Sequence, residues 1–453
     1  MSLPTTASDA VHGIATKKAL TRLVPILMAA YFMAFVDRTN VGLAKTSLEV
    51  DAGIDAAAYG LGAGLFFITY ALLEVPSNLI LHKVGPRRWI SRIAVTWGLI
   101  TMAMMFISSP AVFYVLRLLL GAAEAGLYPG IMYMITQWFA QKDRAKVVGL
   151  ILTASSVAFI VANPIGGALM SLDGVGGLHG WQWLFVLEGI PTVLLGLLIF
   201  FILPDSPRDA SWLTEEEGAA LEREAVGDAA EAQVETPGTI VRQAMSRPFL
   251  LTVAAIYFMN QIATYGVVFF VPSIVEDMNV TEPLMIGLIS GVVGIGAVVG
   301  VLVVPRVLAR TGREVPLIGI TTAAAIVMAL AFIAVADPVA RMIILSITML
   351  FIVGVQPLYW SVLMARLGGV GAAAGLAFVN TIGLTGAFVG PYAFGLSEEA
   401  TGDPSAGLWV LVGATILGLL CVPLLGSLLR SHDRAHGSDE GDALVVDTGS
   451  GVR

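Results

Sequence analysis

The sequence predicts an all-α integral membrane protein: twelve transmembrane helices in two pseudo-symmetric six-helix bundles. Three observations predict it. The composition is too apolar for water, apolar runs of membrane-spanning length recur along the chain, and two unrelated landmarks repeat at one common spacing. Of 453 residues, 57% are hydrophobic and 13% charged, and the mean hydropathy is +0.85. A soluble chain carries about 25% charged residues. So much apolar surface cannot be hidden in a water-soluble core of this length, so the solvent must be lipid. The 49 glycines agree, because glycine lets helices approach closely in a bilayer.

Apolar runs able to cross about 30 Å of hydrocarbon place helices near 22–44, 59–81, 89–107, 112–135, 146–170 and 183–203. A second set lies near 249–271, 284–304, 315–336, 340–363, 372–396 and 407–429. The domain organisation follows: a segment 1–21, a bundle 22–203, a linker 204–247, a bundle 248–429 and a tail 430–453. The linker is polar and acidic, reads as part helical, and divides the helices six and six. The tail is polar and reads as disordered.

Charge sets the orientation. Of 25 Lys and Arg, Arg38 and Arg117 sit within helices, and Lys45 and Arg341 fall on the side of the first inter-helix loop. The other 21 lie on the side of the termini, which the positive-inside rule puts in the cytoplasm. The first twenty residues lack a charged start, apolar stretch and small-residue cleavage site. The first apolar segment is therefore expected to remain as an anchor in the cell (inner) membrane.

The halves read as duplicated. Lys83, Gly85, Arg87 and Arg88 stand between helices 2 and 3, and Arg310, Gly312 and Arg313 between helices 8 and 9. Gly85 to Gly312 is 227 residues, and Pro164 in helix 5 to Pro391 in helix 11 is also 227. Such duplication marks transporter folds, whose substrate site lies between the repeats near mid-membrane.

Charges inside a bilayer are costly and signal function. All of them belong to the first half: Asp37, Arg38, Glu74, Arg117, Glu124 and Glu188. At 1.5 Å per residue, Arg38 lies roughly 7 Å and Arg117 roughly 10 Å from mid-membrane, both away from the termini, with Glu124 near the middle. Arg117, Gly121, Glu124 and Tyr128 share a helical face. Two guanidiniums at one level, each with a carboxylate below, suit an anion site, since the planar fork of arginine matches a carboxylate. Asp37 and Glu124, in low dielectric, are candidates to hold a proton near neutral pH. The plainer reading makes Asp37 with Arg38, and Arg117 with Glu124, structural ion pairs. Against it, adjacent helical residues project about 100° apart, so Asp37 and Arg38 cannot simply neutralise each other. Glu74 and Glu188 stand near helix ends beside Pro76 and Pro191, which favours structural roles. The second half offers neutral groups instead: Tyr257, Asn260, Gln261, Thr264, Tyr265, Gln356, Tyr359, Trp360 and Asn380. Tyr359 and Trp360 suit packing as well as binding. Asn380, an amide in mid-helix, needs a partner.

The single cysteine, Cys421, excludes internal disulfides and cysteine-based metal sites. The five histidines fall in loops or tails. Gly294-Ile295-Gly296 with Gly300 lies in an apolar helix rather than at a strand-to-helix turn, so it is helix packing and not a dinucleotide fingerprint. Asn279-Val280-Thr281 matches a glycosylation acceptor that has meaning only in a host with an ER. No nucleophile–base pair, metal cluster or phosphate loop supports an enzyme, and no cofactor other than a coupling proton is expected. The expected partners are a small organic anion and the lipid bilayer, with no nucleic acid, and the chain is expected to act as a monomer.

Several stretches together resemble the anion:cation symporter family of the major facilitator superfamily, the tartrate, phthalate and sugar-acid type of carrier. They are Phe35-Val36-Asp37-Arg38-Thr39-Asn40, Tyr70-Ala71-Leu72-Leu73-Glu74-Val75-Pro76-Ser77-Asn78, Gly85-Pro86-Arg87-Arg88 and Arg117-Leu118-Leu119-Leu120-Gly121-Ala122-Ala123-Glu124. Gly180-Trp181-Gln182-Trp183 and Leu187-Glu188-Gly189-Ile190-Pro191 continue the match. It covers nearly the whole chain and is densest in the first half. The resemblance implies the major facilitator fold, proton coupling at Asp37 and Glu124, and substrate contacts at Arg38, Arg117, Tyr70, Trp360 and Asn380. It also implies a gating loop at Lys83, Gly85, Arg87 and Arg88, although His82 stands where that loop usually has an acid. The expected function is proton-coupled import of a small organic carboxylate by rocking of the two halves. The rivals are a proton-antiporting exporter, a uniport facilitator or anion exchanger, and a non-transporting membrane sensor.

Overall fold

A computed structural model of the protein describes residues 7–226, 247–367 and 369–446. Among them, twelve helices are long and apolar enough to cross a membrane. The first six are α1 (Val11–Ala52), α2 (Ala56–Val84), α3 (Pro86–Phe106), α4 (Pro110–Trp138), α5 (Gln141–Met170) and α6 (Gly180–Ile202). The second six are α7 (Pro248–Asp277), α8 (Pro283–Thr311), α9 (Glu314–Ala334), α10 (Pro338–Met364), α11 (Gly375–Thr401) and α12 (Pro404–Arg434). The linker's residues 227–246 and the ends 1–6 and 447–453 lie outside the described residues.

Local chemistry explains where the helices begin and stop. The Asp55 side chain accepts from the Ala58 N–H at 2.7 Å and starts α2, and Asp337 starts α10 by accepting from Ala340 at 2.8 Å. Gly85 (φ 92°) ends α2 and Gly312 (φ 62°) ends α8, each in a backbone region open mainly to glycine. These two landmarks of the repeat thus do the same work in each half. Helix α4 breaks after Glu124, at Ala125 and Gly126 (φ 91°), and its counterpart α10 breaks at Val355. Ser77 bridges the first break by donating to the Ala125 carbonyl at 2.7 Å.

The halves meet along α2 with α11, α5 with α8, and α1 with α7. Glycines bring these backbones together: a Cβ on Gly60 would collide with the Pro391 carbonyl, and one on Gly287 with that of Asn163. Among the described residues, the hydrogen bonds between halves lie on the membrane side opposite the termini. Lys45 Nζ pairs with Glu398 at 2.6 Å, the Thr46 hydroxyl donates to Glu276, and the Ala57 N–H donates to Glu399 at 3.3 Å. Somewhat deeper, the Tyr59 hydroxyl donates to the Phe269 carbonyl at 3.3 Å. These links hold the halves together on the side opposite the termini.

On the terminal side, linker helix Glu215–Val226 lies against the first half. Lys18 donates to both Glu217 oxygens at 2.6 and 2.7 Å, Trp212 stacks on Trp138 with centroids 5.7 Å apart, and Arg144 donates to the Ala225 carbonyl. Two sequence readings change here. The last helix runs on to Val446 instead of ending in a disordered tail; propagating a formed helix costs far less than starting one. His12 lies inside helix Ala7–Arg22 and is buried, within 4.0 Å of Asp143 and 3.7 Å of Glu224.

Candidate transport site

Helix α1 carries Asp37 and Arg38 on different faces, and the structure uses both. Asp37 is buried and turned into the first bundle, where Thr101 of α3 donates to it at 2.7 Å. Arg38 points toward the seam between the halves, where Tyr265 of α7 reaches it. Its guanidinium lies over the rings of Phe35, Phe66 and Tyr70 at 5.1, 5.2 and 5.3 Å, and donates to Glu124 of α4. Tyr31, Tyr70 and, from the opposite half, Tyr265 bring their hydroxyls into its field. Tyr31, Phe35 and Arg38 stand at steps of four and three along α1, one stripe facing that seam.

Arg117 departs from the symmetric pair of guanidiniums. It is fully buried, donating through Nε to the Gly62 carbonyl at 3.3 Å and through Nη2 to that of Ala63 at 3.0 Å. Its guanidinium sits over Phe66 at 5.0 Å and over Phe269 of the other half at 5.9 Å. The ion pairing is also crossed relative to the structural-pair reading: Glu124 engages Arg38, and Asp37 stands in the field of Arg117. Glu188 of α6 accepts from Asn40 and lies near Asp37 in the same buried layer. Second oxygens of Asp37, Glu124 and Glu188 and one Arg117 nitrogen are buried with no partner among the described residues. Most buried polar groups in folded proteins are hydrogen-bonded, so a cluster of unpaired ones at one place calls for an explanation.

The second half supplies a neutral wall. Gln356, just past the α10 break, donates toward Asn260, Gln261 and Thr264 of α7 at 3.1, 3.2 and 3.2 Å. Trp360 packs edge-on against Tyr257 at 5.2 Å. Asn380 of α11 is half-buried with no hydrogen-bond partner among the described residues, one turn before Gly383, which lies against Tyr257. Tyr70, Arg38 and Glu124 thus meet directly, while Trp360 and Asn380 line the facing helices.

The gating-loop residues lie on the terminal side. The Arg87 N–H donates to Asp205 at 3.0 Å and its Nε to the Phe200 carbonyl at 2.5 Å. Asp205, three residues past the end of α6, thus brings an acid to this loop, and His82 rests on the Tyr133 ring at 4.4 Å. Lys83, Arg88, Arg310 and Arg313 are exposed. Tyr265, one of the neutral groups of the second half, reaches the site, and Tyr31 joins it without having been named, although the α1 stripe carried the signal for it.

Two six-helix halves of membrane-spanning helices with charge buried between them are the architecture of a membrane transporter. Residues 27–391 match the Major Facilitator Superfamily, and the chain belongs to it. It is 39% identical, over 88% of its length and 92% of the relative's, to a quinolone resistance transporter of Acinetobacter baumannii. It is 38% identical to a putative tartrate transporter of Agrobacterium vitis, over 92% of each chain. It is 36% identical to the putative metabolite transport protein NicT of Pseudomonas putida, over 94% of this chain and 98% of that one. A bacterial homolog of the human lysosomal transporter Spinster, in an inward-facing conformation, shares the fold with a TM-score of 0.71 at 16% identity, over 91% of this chain and 97% of that one.

Proposed function

We propose that the protein is a proton-coupled symporter that imports a small organic carboxylate across the inner membrane, acting as a monomer with both termini in the cytoplasm. With that orientation the hydrogen bonds between the halves lie on the outer side of the membrane. The observation that carries the reading is Arg38: a guanidinium at the seam between the halves, walled by aromatic rings and held by a carboxylate that a substrate can replace. When the substrate's carboxylate takes Arg38, Glu124 loses its counter-ion in a desolvated place and takes up a proton. Asp37 stands in the field of Arg117, which the Gly62 and Ala63 carbonyls hold in place, and is the second candidate to carry a proton. Binding and protonation then favour each other reciprocally. The tartrate-transporter relatives support the carboxylate class. Uptake of a panel of labelled carboxylates into proteoliposomes with an imposed pH gradient is the test; gradient-driven accumulation of one of them is expected.

A second reading is favoured by the quinolone resistance relative together with the aromatic rings around Arg38: the same acids would drive export of a larger aromatic compound. Reversing the pH gradient in the same vesicles separates the two. A symporter accumulates substrate on the side the protons move toward, and an antiporter on the opposite side.

A further inference from the structure

Beside Pro191, Glu188 reads from the sequence as a structural residue. In the structure it is 5% exposed and lies inside the first bundle, at a level set by glycines. A Cβ on Gly98 of α3 would meet the Gly189 carbonyl, so α3 and α6 run in backbone contact there. Thr101, one turn along α3 from Gly98, donates to Asp37. Asn40, one turn along α1 from Asp37, donates its side-chain amide to Glu188. Asp37 and Glu188 thus stand in one buried layer, bridged by a single turn of α1.

Two buried carboxylates at such a place do not both stay ionised without cations to match them. Arg117 is the cation whose field reaches Asp37, and its guanidinium is held by the Gly62 and Ala63 carbonyls. Arg38 and Lys45, also of α1, are taken by Glu124 and Glu398. Glu188 has no ion pair among the described residues, and Asp37 is the charged group that faces it. Arg87, Arg88 and Arg92 of α3, and Lys142, Asp143, Arg144 and Lys146 of α5, stand toward the terminal ends of those helices, and α6 carries no other charge. The two acids are also provided for unequally. Asp37 has a hydroxyl donor and the field of a guanidinium, whereas Glu188 has a neutral amide. A proton on the open Oε2 of Glu188 would find two open acceptors in the layer, Oδ2 of Asp37 and Oδ1 of Asn40.

We infer that Glu188 is a third proton-exchanging acid: it and Asp37 hold one proton between them, which rests on Glu188 while Asp37 is ionised. This rests on the proton-coupled reading above. When Asp37 gains a proton, Glu188 no longer faces a like charge and can release its own. The O–H bond lost at Glu188 is matched by the one formed at Asp37, so no net charge is added inside the bilayer, where it would be costly.

The test is infrared difference spectroscopy of the purified full-length protein, without substrate, stepped from about pH 5 to pH 10 to span the range of buried carboxyls. Protonated carboxyls have their own carbonyl-stretch bands, and isotope labelling of the glutamate carboxyl carbon separates glutamates from aspartates. The parent should show a protonated glutamate at neutral pH that Glu188→Gln removes, with no fall in melting temperature, because the new amide oxygen still accepts from Asn40. In Asp37→Asn that band should vanish about two pH units lower than in the parent, as for a like charge removed from about 5–7 Å away at an effective dielectric near 20. If Glu188→Gln removes no glutamate band, Glu188 is ionised at rest and the inference falls. If the glutamate bands titrate identically in the parent and in Asp37→Asn, the two acids are independent and it also falls. With Glu124→Gln as background, that comparison holds even where Glu188→Gln does not fold. Either failure leaves the proton-coupled reading standing on Asp37 and Glu124. If neither Asp37→Asn nor Glu124→Gln removes a protonated-carboxyl band at any pH of the series, that reading fails and this inference with it.

Discussion

The guanidinium of Arg38 and the carboxylate of Glu124 join α1 to the end of the first half of α4, directly before that helix breaks. Glu124 is fully buried, whereas the Arg38 side chain keeps 12% of its surface exposed. The arginine is reachable and its counter-ion is not. On the proposed reading, a ligand competes for Arg38 without first displacing Glu124 into water.

The two arginines should separate in their effects. Arg38→Lys keeps the charge but loses the planar fork, so carboxylate affinity should fall roughly ten- to a hundredfold, the worth of one buried charge-assisted bond. Arg117→Lys leaves the Gly62 and Ala63 carbonyls poorly matched and should lower the melting temperature more than the affinity. Calorimetric titration beside thermal unfolding of both variants decides it. Equal losses of affinity would return Arg117 to direct substrate contact.

Coupling should depend on Asp37 and Glu124. Asp37→Asn and Glu124→Gln imitate the protonated acids, so both variants should bind substrate and exchange it in counterflow. Neither should accumulate it against a gradient, and at least one should bind with weaker pH dependence than the parent. Retained gradient-driven accumulation in both would favour the facilitator or exchanger reading.

Most of the fold is legible in the sequence, because a bilayer demands apolar runs of fixed length and nothing else in the chain imitates them. The site is legible only in part. Spacing shows that Arg117 and Glu124 share a face, and they do. It cannot show that the Arg117 side chain reaches across to α2, where Gly62 gives a close approach and carbonyls 62 and 63 receive it. Long side chains choose among rotamers by partners from other helices, and those partners are remote in sequence.

The far-side seal should weaken when Lys45 is replaced. Lys45 is 2% exposed and pairs with Glu398 across the two halves. Removing one partner of a buried pair costs about 3–5 kcal/mol, so Lys45→Met should shift the population toward the state open on that side. With Cys421→Ser as background, Tyr59→Cys gives a thiol within the sealed contact. An impermeant maleimide added on the far side should label it faster when Lys45→Met is present. Unchanged labelling would show that the ion pair does not govern closure.

Docking of the linker helix should depend on acid. Lys18, donating to Glu217, and the Thr214 N–H, at 2.9 Å, hold the Glu217 carboxyl below its usual range. A depressed folded-state value means the contribution is complete above the ordinary carboxylate range and is lost as pH falls through the depressed value. Hydrogen exchange over 215–226, corrected for its intrinsic pH dependence, should therefore rise at acid pH. Lys18→Met should raise it at neutral pH and flatten the acid response. Equal exchange in parent and variant at every pH would discount the pair.

The glycine contacts that close the far side bear on speed as well as on closure. At Gly60, Gly64, Gly287 and Gly294 one half presents bare backbone to the carbonyls of the other. Where side chains interdigitate, separating two surfaces requires each to find a new rotamer before its neighbour can move. Smooth surfaces part without that sequence of unlocking steps. Friction between the halves is therefore low at these contacts, and resistance to opening is gathered into a few discrete polar links such as Lys45 with Glu398. A protein built this way can hold one state firmly and still leave it in a single step.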